Sequence, residues 1–413
     1  MKRVAITGYG VVSPIGIGRK PFLDSLRSGH SGIGRISRFD CETFGVQLAA
    51  EVKGELSLPT RIEEVSSDDP KVGFAYAAAR EALAEAGLEK ITDDTLVHLG
   101  VSLETFDLQK VIHDGRIDFA AVALRSLSGQ HVRFQVPLDT ATKLICEAFG
   151  RPARMLTNCS ACAAGAQAIG HSFRNVRAGR FGSALCGGFD SLINPLGIGG
   201  FELLGALTSD NDRGEKACRP FDASRNGTVL GEGAAVLVLE PMHRAISQGK
   251  TVLAEICGYG SSLDAHSLSA PDPDGDGAVR AMRAALDDAG IRPQDVSHIN
   301  THGTSTHLND QIEATAIRKV FADNVWQGIP VSATKSLTGH LIAAAGAVEV
   351  GACLLALNGG VVPHNPSLTR VGRSCELAHV TAPGTAFDGE YVLTNSFGFG
   401  GQNCSLVLRK HGR

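Results

Sequence analysis

A thiol and two imidazoles stand out among the groups of this chain that could do chemistry. Cys162 lies in N-C-S-A-C-A-A-G (158–165), where a small-residue helix begins; His302 in T-H-G-T-S-T (301–306) and His340 in K-S-L-T-G-H (335–340) follow far downstream. A nucleophile that can hold an acyl group, with imidazoles to manage protons and charge, points to covalent acyl transfer. A helix start sets free N–H groups and the positive end of the backbone dipole beside the sulfur, so the expectation is a lowered thiol pKa. His302 follows the strand-like V-S-H-I-N, and His340 follows a glycine at the mouth of a second small-residue helix. Open sheets present reactive groups at such strand and helix ends. His298 and His266 read as structural.

Two other chemistries compete for the same residues. Cys159 and Cys162 form a lone C-x-x-C, the spacing of a dithiol redox pair or half of a zinc site. No second C-x-x-C or close Cys/His pair supplies the remaining ligands, so no metal is expected. The N-terminal G-Y-G-V-V-S resembles the opening of a dinucleotide-binding turn. Its third glycine is missing, with Ser13 and Pro14 in the way, and tight-turn geometry is the simpler account.

Positioning groups so far apart in sequence takes a large fold. The 413 residues are 43% hydrophobic and 20% charged, a globular composition able to bury a large core or two fused halves. The 49 glycines sit in short runs between apolar stretches, which fits turns and close backbone approach better than disorder. With a net charge of −4 and scattered basic residues, nucleic acid and membrane surfaces are poor partners. Ten cysteines in this length are too sparse for a disulfide scaffold and imply a reducing compartment. Glycines and Pro14 interrupt the apolar N-terminal stretch, and no run reads as a membrane span. A cytoplasmic location is expected.

Three pairs of segments recur in the same order. V-A-I-T-G-Y-G (4–10) is matched by L-A-E-I-C-G-Y-G (253–260), A-L-A-E-A-G-L (82–88) by A-L-D-D-A-G-I (285–291), and A-A-G-A at 163–166 by A-A-G-A at 344–347. Such a repeat predicts two similar α/β halves, 1–250 carrying the nucleophile and 251–413 carrying both histidines. Each half is expected to be a mixed sheet flanked by helices, with the helices opening at Cys162 and near Ala343 packed together at the centre.

With these motifs in order, the chain resembles the elongating β-ketoacyl-[acyl-carrier-protein] synthases of the thiolase superfamily. The resemblance spans nearly the whole chain. It rests on V-A-I-T-G-Y-G-V-V-S-P-I-G (4–16), the C-A-A-G at Cys162, R-P-F-D with V-L-G-E-G-A (219–234), T-H-G-T-S-T, T-K-S-L-T-G-H with A-A-A-G-A-V-E (334–349) and N-S-F-G-F-G-G-Q-N (395–403). The implied fold is α/β, with two mixed-sheet halves layered α-β-α-β-α. The implied reaction moves an acyl group onto Cys162 and condenses it with a malonyl unit carried on acyl carrier protein, releasing CO₂. By the same resemblance His302 and His340 drive decarboxylation, and backbone N–H groups of Cys162 and Phe399 hold the oxyanion. Lys335 and Glu349 tune the site, Thr304 and Thr306 contact the pantetheine arm, and Phe397 and Phe399 gate the acyl pocket. No cofactor is implied beyond phosphopantetheine thioester substrates; the partners are acyl carrier protein and a second copy in a homodimer.

Departures from the family pattern shape the alternatives. Gly100–Phe106 reads G-V-S-L-E-T-F where the family has a glycine-rich pocket wall, and Thr228 stands directly before V-L-G-E-G; both imply an altered acyl preference. Stretches 61–71 (R-I-E-E-V-S-S-D-D-P-K) and 208–213 (T-S-D-N-D-R) are more acidic than a carrier-docking surface of this family, which implies a dedicated carrier. The alternatives are a type II polyketide or aryl-polyene ketosynthase with a chain-length partner in a heterodimer, a non-catalytic chain-length partner, and a thiolase. A thiolase would need a second cysteine, and the late candidate, Cys404, begins the strand C-S-L-V-L.

Overall fold

The computed structural model describes residues 2–107, 110–113, 116–128, 134–322 and 325–412. The first half runs β1 (Val4–Ser13), α1 (Pro70–Glu85), β2 (Thr95–Gly100), α2 (Thr140–Phe149), β3 (Arg154–Asn158), α3 (Ala164–Arg177), β4 (Ser183–Asp190), α4 (Pro195–Leu203) and β5 (Gly233–Pro241). The second runs β6 (Ala254–Leu263), α5 (Asp276–Ala289), β7 (Val296–Asn300), α6 (His307–Val320), β8 (Val331–Ser332), α7 (Ala345–Gly359), β9 (Tyr391–Gly398) and β10 (Gln402–Arg409).

Strand order is β3-β2-β4-β5-β1 in the first half and β8-β7-β9-β10-β6 in the second. β2 is parallel to β3 and β4, and β5 antiparallel to β4 and β1. The second half repeats this pattern: β7 is parallel to β8 and β9, and β10 antiparallel to β9 and β6. A short antiparallel contact, Val4–Ile6 against Ala254–Ile256, joins the two along one edge. β1 and β5 are buried at every position, as strands covered on both faces must be, which is why they read as nearly continuous apolar runs; buried Thr7 of β1 donates to buried Glu240 of β5 at 2.7 Å.

The repeated G-Y-G segments lie inside strands, with a packing role and no part in a phosphate turn. A β-bulge falls between Ile6 and Gly8 in β1 and between Ile256 and Gly258 in β6. A Cβ on Gly8 would stand 2.0 Å from the Ala82 carbonyl oxygen, and one on Gly258 2.1 Å from that of Ala285. Each glycine therefore lets an outer helix, α1 or α5, lie directly on its strand.

Helices α3 and α7 form the layer between the sheets. Their contact is equally close: a Cβ on Gly165 would meet the Ala343 carbonyl at 2.6 Å, and one on Gly346 the Ala166 Cβ at 2.8 Å. Among the described residues, Ile342–Gly359 is the one helical stretch apolar and long enough to cross a membrane, a length that the sequence reading passed over. It is the buried central helix α7, enclosed by both halves.

Candidate active site

Cys162 occupies a one-turn 3-10 segment, Ala161–Ala163, that leads into α3. Ala161 sits at φ 48°, a left-handed conformation that costs a non-glycine residue about 1–2 kcal/mol. The second half repeats the device: Ile342, at φ 47°, opens the turn Ile342–Ala344 before α7. Asp190, buried at the end of β4, accepts the Ala343 N–H at 3.1 Å and so ties that turn to the first half. Both small-residue helix starts are thus held together beneath the site.

His302 stands in the loop after β7. Glu313, on the inner side of α6, accepts the backbone N–H groups of His302 and Gly303, both at 2.8 Å, and Asn395 of β9 donates to the same carboxylate. Burial pushes the Glu313 pKa up to about 7, against the pull of those N–H donors. Lys335 braces the ring: its Nζ is 2.5 Å from the His302 carbonyl oxygen, 3.3 Å from His302 Nδ1 and 2.6 Å from Glu349 Oε1. His340 is fixed by its own backbone, its N–H donating to the Val229 carbonyl at 2.7 Å. Its Nδ1 accepts the Ile342 N–H at 3.2 Å.

These contacts determine which ring nitrogen carries hydrogen. An ammonium and a backbone N–H can only donate, so Nδ1 of each ring is the acceptor and each proton resides on Nε2. Burial, followed by the nearby Lys335 charge, holds both histidine pKa values well below the ordinary range, so both rings are neutral. The rings meet edge to face with centroids 5.1 Å apart. One ligand atom from each of Cys162, His302 and His340 lies within 4.8 Å of the other two. The thiol and the two neutral rings thus form one buried cluster.

The sulfur departs from expectation. Its pKa is pushed up to about 11, because burial outweighs the Lys335 charge and the backbone N–H groups of Phe399 and Cys162 that face it. The helix start supplies donors, yet an enclosed sulfur loses more from desolvation than it gains from them. Both of those N–H groups face the sulfur from the protein side. The three side chains could also ligate a soft metal ion by their separation, although the Lys335 ammonium against His302 opposes a second cation.

Cys162, His302 and His340 line one cavity of about 320 Å³, together with Thr304, Thr306, Phe397, Phe399 and Thr228. The hydroxyls of Thr304 and Thr306 are 2.9 Å apart, and Thr306 also caps α6 by accepting the Asn309 N–H. Phe399 faces Phe201 with ring centroids 6.0 Å apart. Cys159 is exposed and its thiol donates to the Ser102 carbonyl, which leaves the C-x-x-C pair pointing to different places. His298 is buried against Ser332, and His266 is exposed.

The acidic docking stretches change meaning in three dimensions. Asp69 and Lys71 are 0% and 1% exposed and pair at 3.0 Å, with Lys71 also donating to the Leu103 carbonyl and the Thr105 hydroxyl. They brace the 100–106 wall from inside and offer nothing to a partner. Asp210 is engaged by Arg219 and Arg213. The sequence reading also missed Glu313, Asp190 and Asn395. Acids at i and i+3 on the face of α6 that also carries Ala314 and Ile317, Asp310 and Glu313, were the available signal.

Residues 1–245 match the family described as "Beta-ketoacyl synthase, N-terminal domain", and residues 253–369 match "Beta-ketoacyl synthase, C-terminal domain". A 3-oxoacyl-[acyl-carrier-protein] synthase 2 of Coxiella burnetii is 36% identical over 411 residues, 99% of each chain. Among solved structures, the ishigamide ketosynthase/chain length factor superposes with a TM-score of 0.84 at 32% identity, covering 100% of both chains. The AntDE:AntF complex, a type II PKS acyl-carrier protein with its ketosynthase bound to the hexaketide, gives a TM-score of 0.85 at 28% identity over 99% of each chain.

Proposed function

The chain belongs to the β-ketoacyl synthase family, and we propose that Cys162 is its nucleophile, with His302 and His340 as the pair that decarboxylates the extender unit. The fold is thiolase-like, and the enzyme is a carbon–carbon bond-forming acyltransferase that works on acyl carrier protein substrates. In the first half-reaction the Cys162 sulfur attacks an acyl thioester, its proton leaves with the carrier thiol, and the backbone N–H groups of Cys162 and Phe399 bind the oxyanion. Malonyl thioester then takes the carrier's place, with its carbonyl oxygen between the two Nε2–H groups. Loss of CO₂ leaves an electron pair on the α-carbon as an enolate, whose charge those donors meet only as the barrier is crossed. The carbanion attacks the acyl-Cys162 carbonyl, sulfur departs, and a 3-oxoacyl thioester is released. Atoms and electrons balance without a redox partner, because CO₂ is the leaving group that supplies the carbanion.

One observation supports this reading most directly: both Nδ1 atoms are occupied by donors, so both Nε2–H groups are available beside the thiol. Lys335 and Glu349 hold the His302 ring, Thr304 and Thr306 offer hydroxyls to the pantetheine arm, and Phe397 and Phe399 stand as the gate. Incubation with an acyl thioester should give a mass adduct that is absent in Cys162→Ala, and added malonyl-carrier protein should convert it to 3-oxoacyl product with CO₂ release. An adduct persisting in the variant, or release by free thiol without CO₂, would sink the proposal.

A specialised polyketide or aryl-polyene ketosynthase with a chain-length partner is the second reading, favoured by the Gly100–Phe106 wall and by neighbours that include such pairs. The outer edge of β3 bears half-exposed Met155 and Leu156, a face suited to a second copy or to that partner. A cytoplasmic setting fits the ten free thiols.

A further inference from the structure

The mouth of the catalytic cavity is rimmed by leucines that the reaction does not use. Leu203 and Leu204, at the end of α4, are 92% and 58% exposed; Leu268, in the loop after β6, is 88% exposed; Leu308, in the first turn of α6, is 55% exposed. Leu204 and Leu308 line the cavity that ends at Cys162. Leu268 lies directly beside it, accepting the Gly400 N–H next to Phe399 while its neighbours Ser269 and Ala270 line the wall. Three separate segments thus bring leucines to one opening. An isolated exposed leucine means little, whereas several around one concavity mark a surface that is covered in use.

Inside the mouth, the cavity lining carries little charge. Among the described residues lining the cavity there is no lysine or arginine. The carboxylate there, Asp264, is already taken by the Asn403 amide and the Asp272 N–H. A partner that docked by ion pairing would find nothing free in the lining to pair with.

We propose that Leu203, Leu204, Leu268 and Leu308 form the docking surface for the acyl carrier protein, which would meet them with an apolar face of its own. The inference rests on the acyl-transfer reading above. Its occupant follows from continuity with the cavity, because the macromolecule whose arm threads this mouth must sit on this rim. Recognition by burial of apolar surface is insensitive to salt, unlike charge steering.

The test compares two substrates in Leu203→Asp and Leu268→Asp, whose side chains point to solvent. Acyl-loaded holo-carrier protein needs the rim, while the acyl thioester of free pantetheine does not. Each variant should raise KM for the carrier about tenfold or more, the scale of an interface anchor, with kcat and KM for the pantetheine thioester unchanged. In the unaltered enzyme the carrier KM should change less than about twofold between low and high salt. Unchanged carrier KM in both variants, or a carrier KM that climbs steeply with salt, overturns the proposal. So does a change in sedimentation with carrier KM intact, which would assign the leucines to contact with a second copy. If neither substrate acylates Cys162, the acyl-transfer reading itself falls; if pantetheine thioesters react normally, only the docking surface is at stake.

Discussion

Lys335 illustrates how one buried side chain can set the chemistry of another. Its ammonium occupies His302 Nδ1 and the His302 carbonyl, and Glu349 holds it in place. Lys335→Met should lower malonyl decarboxylation by about 10²–10³, the scale of one misplaced oxyanion donor, while acylation of Cys162 still proceeds. Measuring CO₂ release separately from the acyl adduct tells positioning from general damage. Burial already raises the Glu349 pKa to about 6, and Lys335 is what pulls it down; without the lysine the carboxyl goes neutral and the variant can still fold. The pH behaviour follows from the same residues. Both histidines stay deprotonated well below neutrality, so decarboxylation should show no imidazole inflection between about pH 6 and about pH 8. Because the Cys162 thiol is pushed up to about 11, its alkylation by iodoacetamide should keep rising above about pH 9 as the thiolate fraction grows. A plateau below neutrality would contradict that ordering of burial over backbone donors.

At the scale of elements, the strand glycines decide how closely the layers approach. Gly8 and Gly258 occupy equivalent bulges, and each faces a helix carbonyl at a distance no Cβ tolerates. Gly8→Ala and Gly258→Ala should each cost about 3 kcal/mol or more, at the upper end of overpacking because backbone must move, measured as a shift in urea midpoint at constant m-value. Gly87, with open space around it, is the contrasting position: an alanine there meets only the conformational strain of its φ of 64°, about 1–2 kcal/mol. α6 carries a second element-scale dependence, since its Glu313 gathers the N–H groups of His302 and Gly303. Glu313→Ala leaves both donors buried and unsatisfied, so loss of activity and of stability should appear together.

The whole molecule repeats one βαβαβαββ unit, with α4 added before the last strand of the first half; the central helices α3 and α7 meet, and the site lies where the two halves face each other. β3 ends the first sheet with an unpaired outer edge among the described residues, and Met155 and Leu156 stand half-exposed on it. Exposed Leu103, Ile117, Phe119, Leu124 and Leu127 extend the apolar surface nearby in sequence, the kind of patch that marks association. The isolated chain should sediment as a dimer, and Leu156→Lys should shift it toward monomer; a wild-type monomer that pairs only with a chain-length protein would favour the heterodimeric reading.

Much of this architecture was legible in the chain because its signals are local. Apolar runs, repeated G-Y-G and A-A-G-A segments, and histidines at strand and helix ends all follow from short-range geometry, and they located Cys162, His302 and His340 before any fold was known. Long-range properties were not legible. The pKa of Cys162 depends on how completely the fold encloses it, and the ring tautomers on partners 33 residues away, as from Lys335 to His302, or on a turn's strained path. Lys71 looked like a surface charge in an acidic stretch until tertiary packing buried it against Asp69. Sequence alone determined which groups could react and how the halves repeat, because pattern and propensity are properties of neighbours along the chain. Only the tertiary structure decided their protonation, their supports and the apolar mouth, because burial and charge pairing depend on neighbours in space.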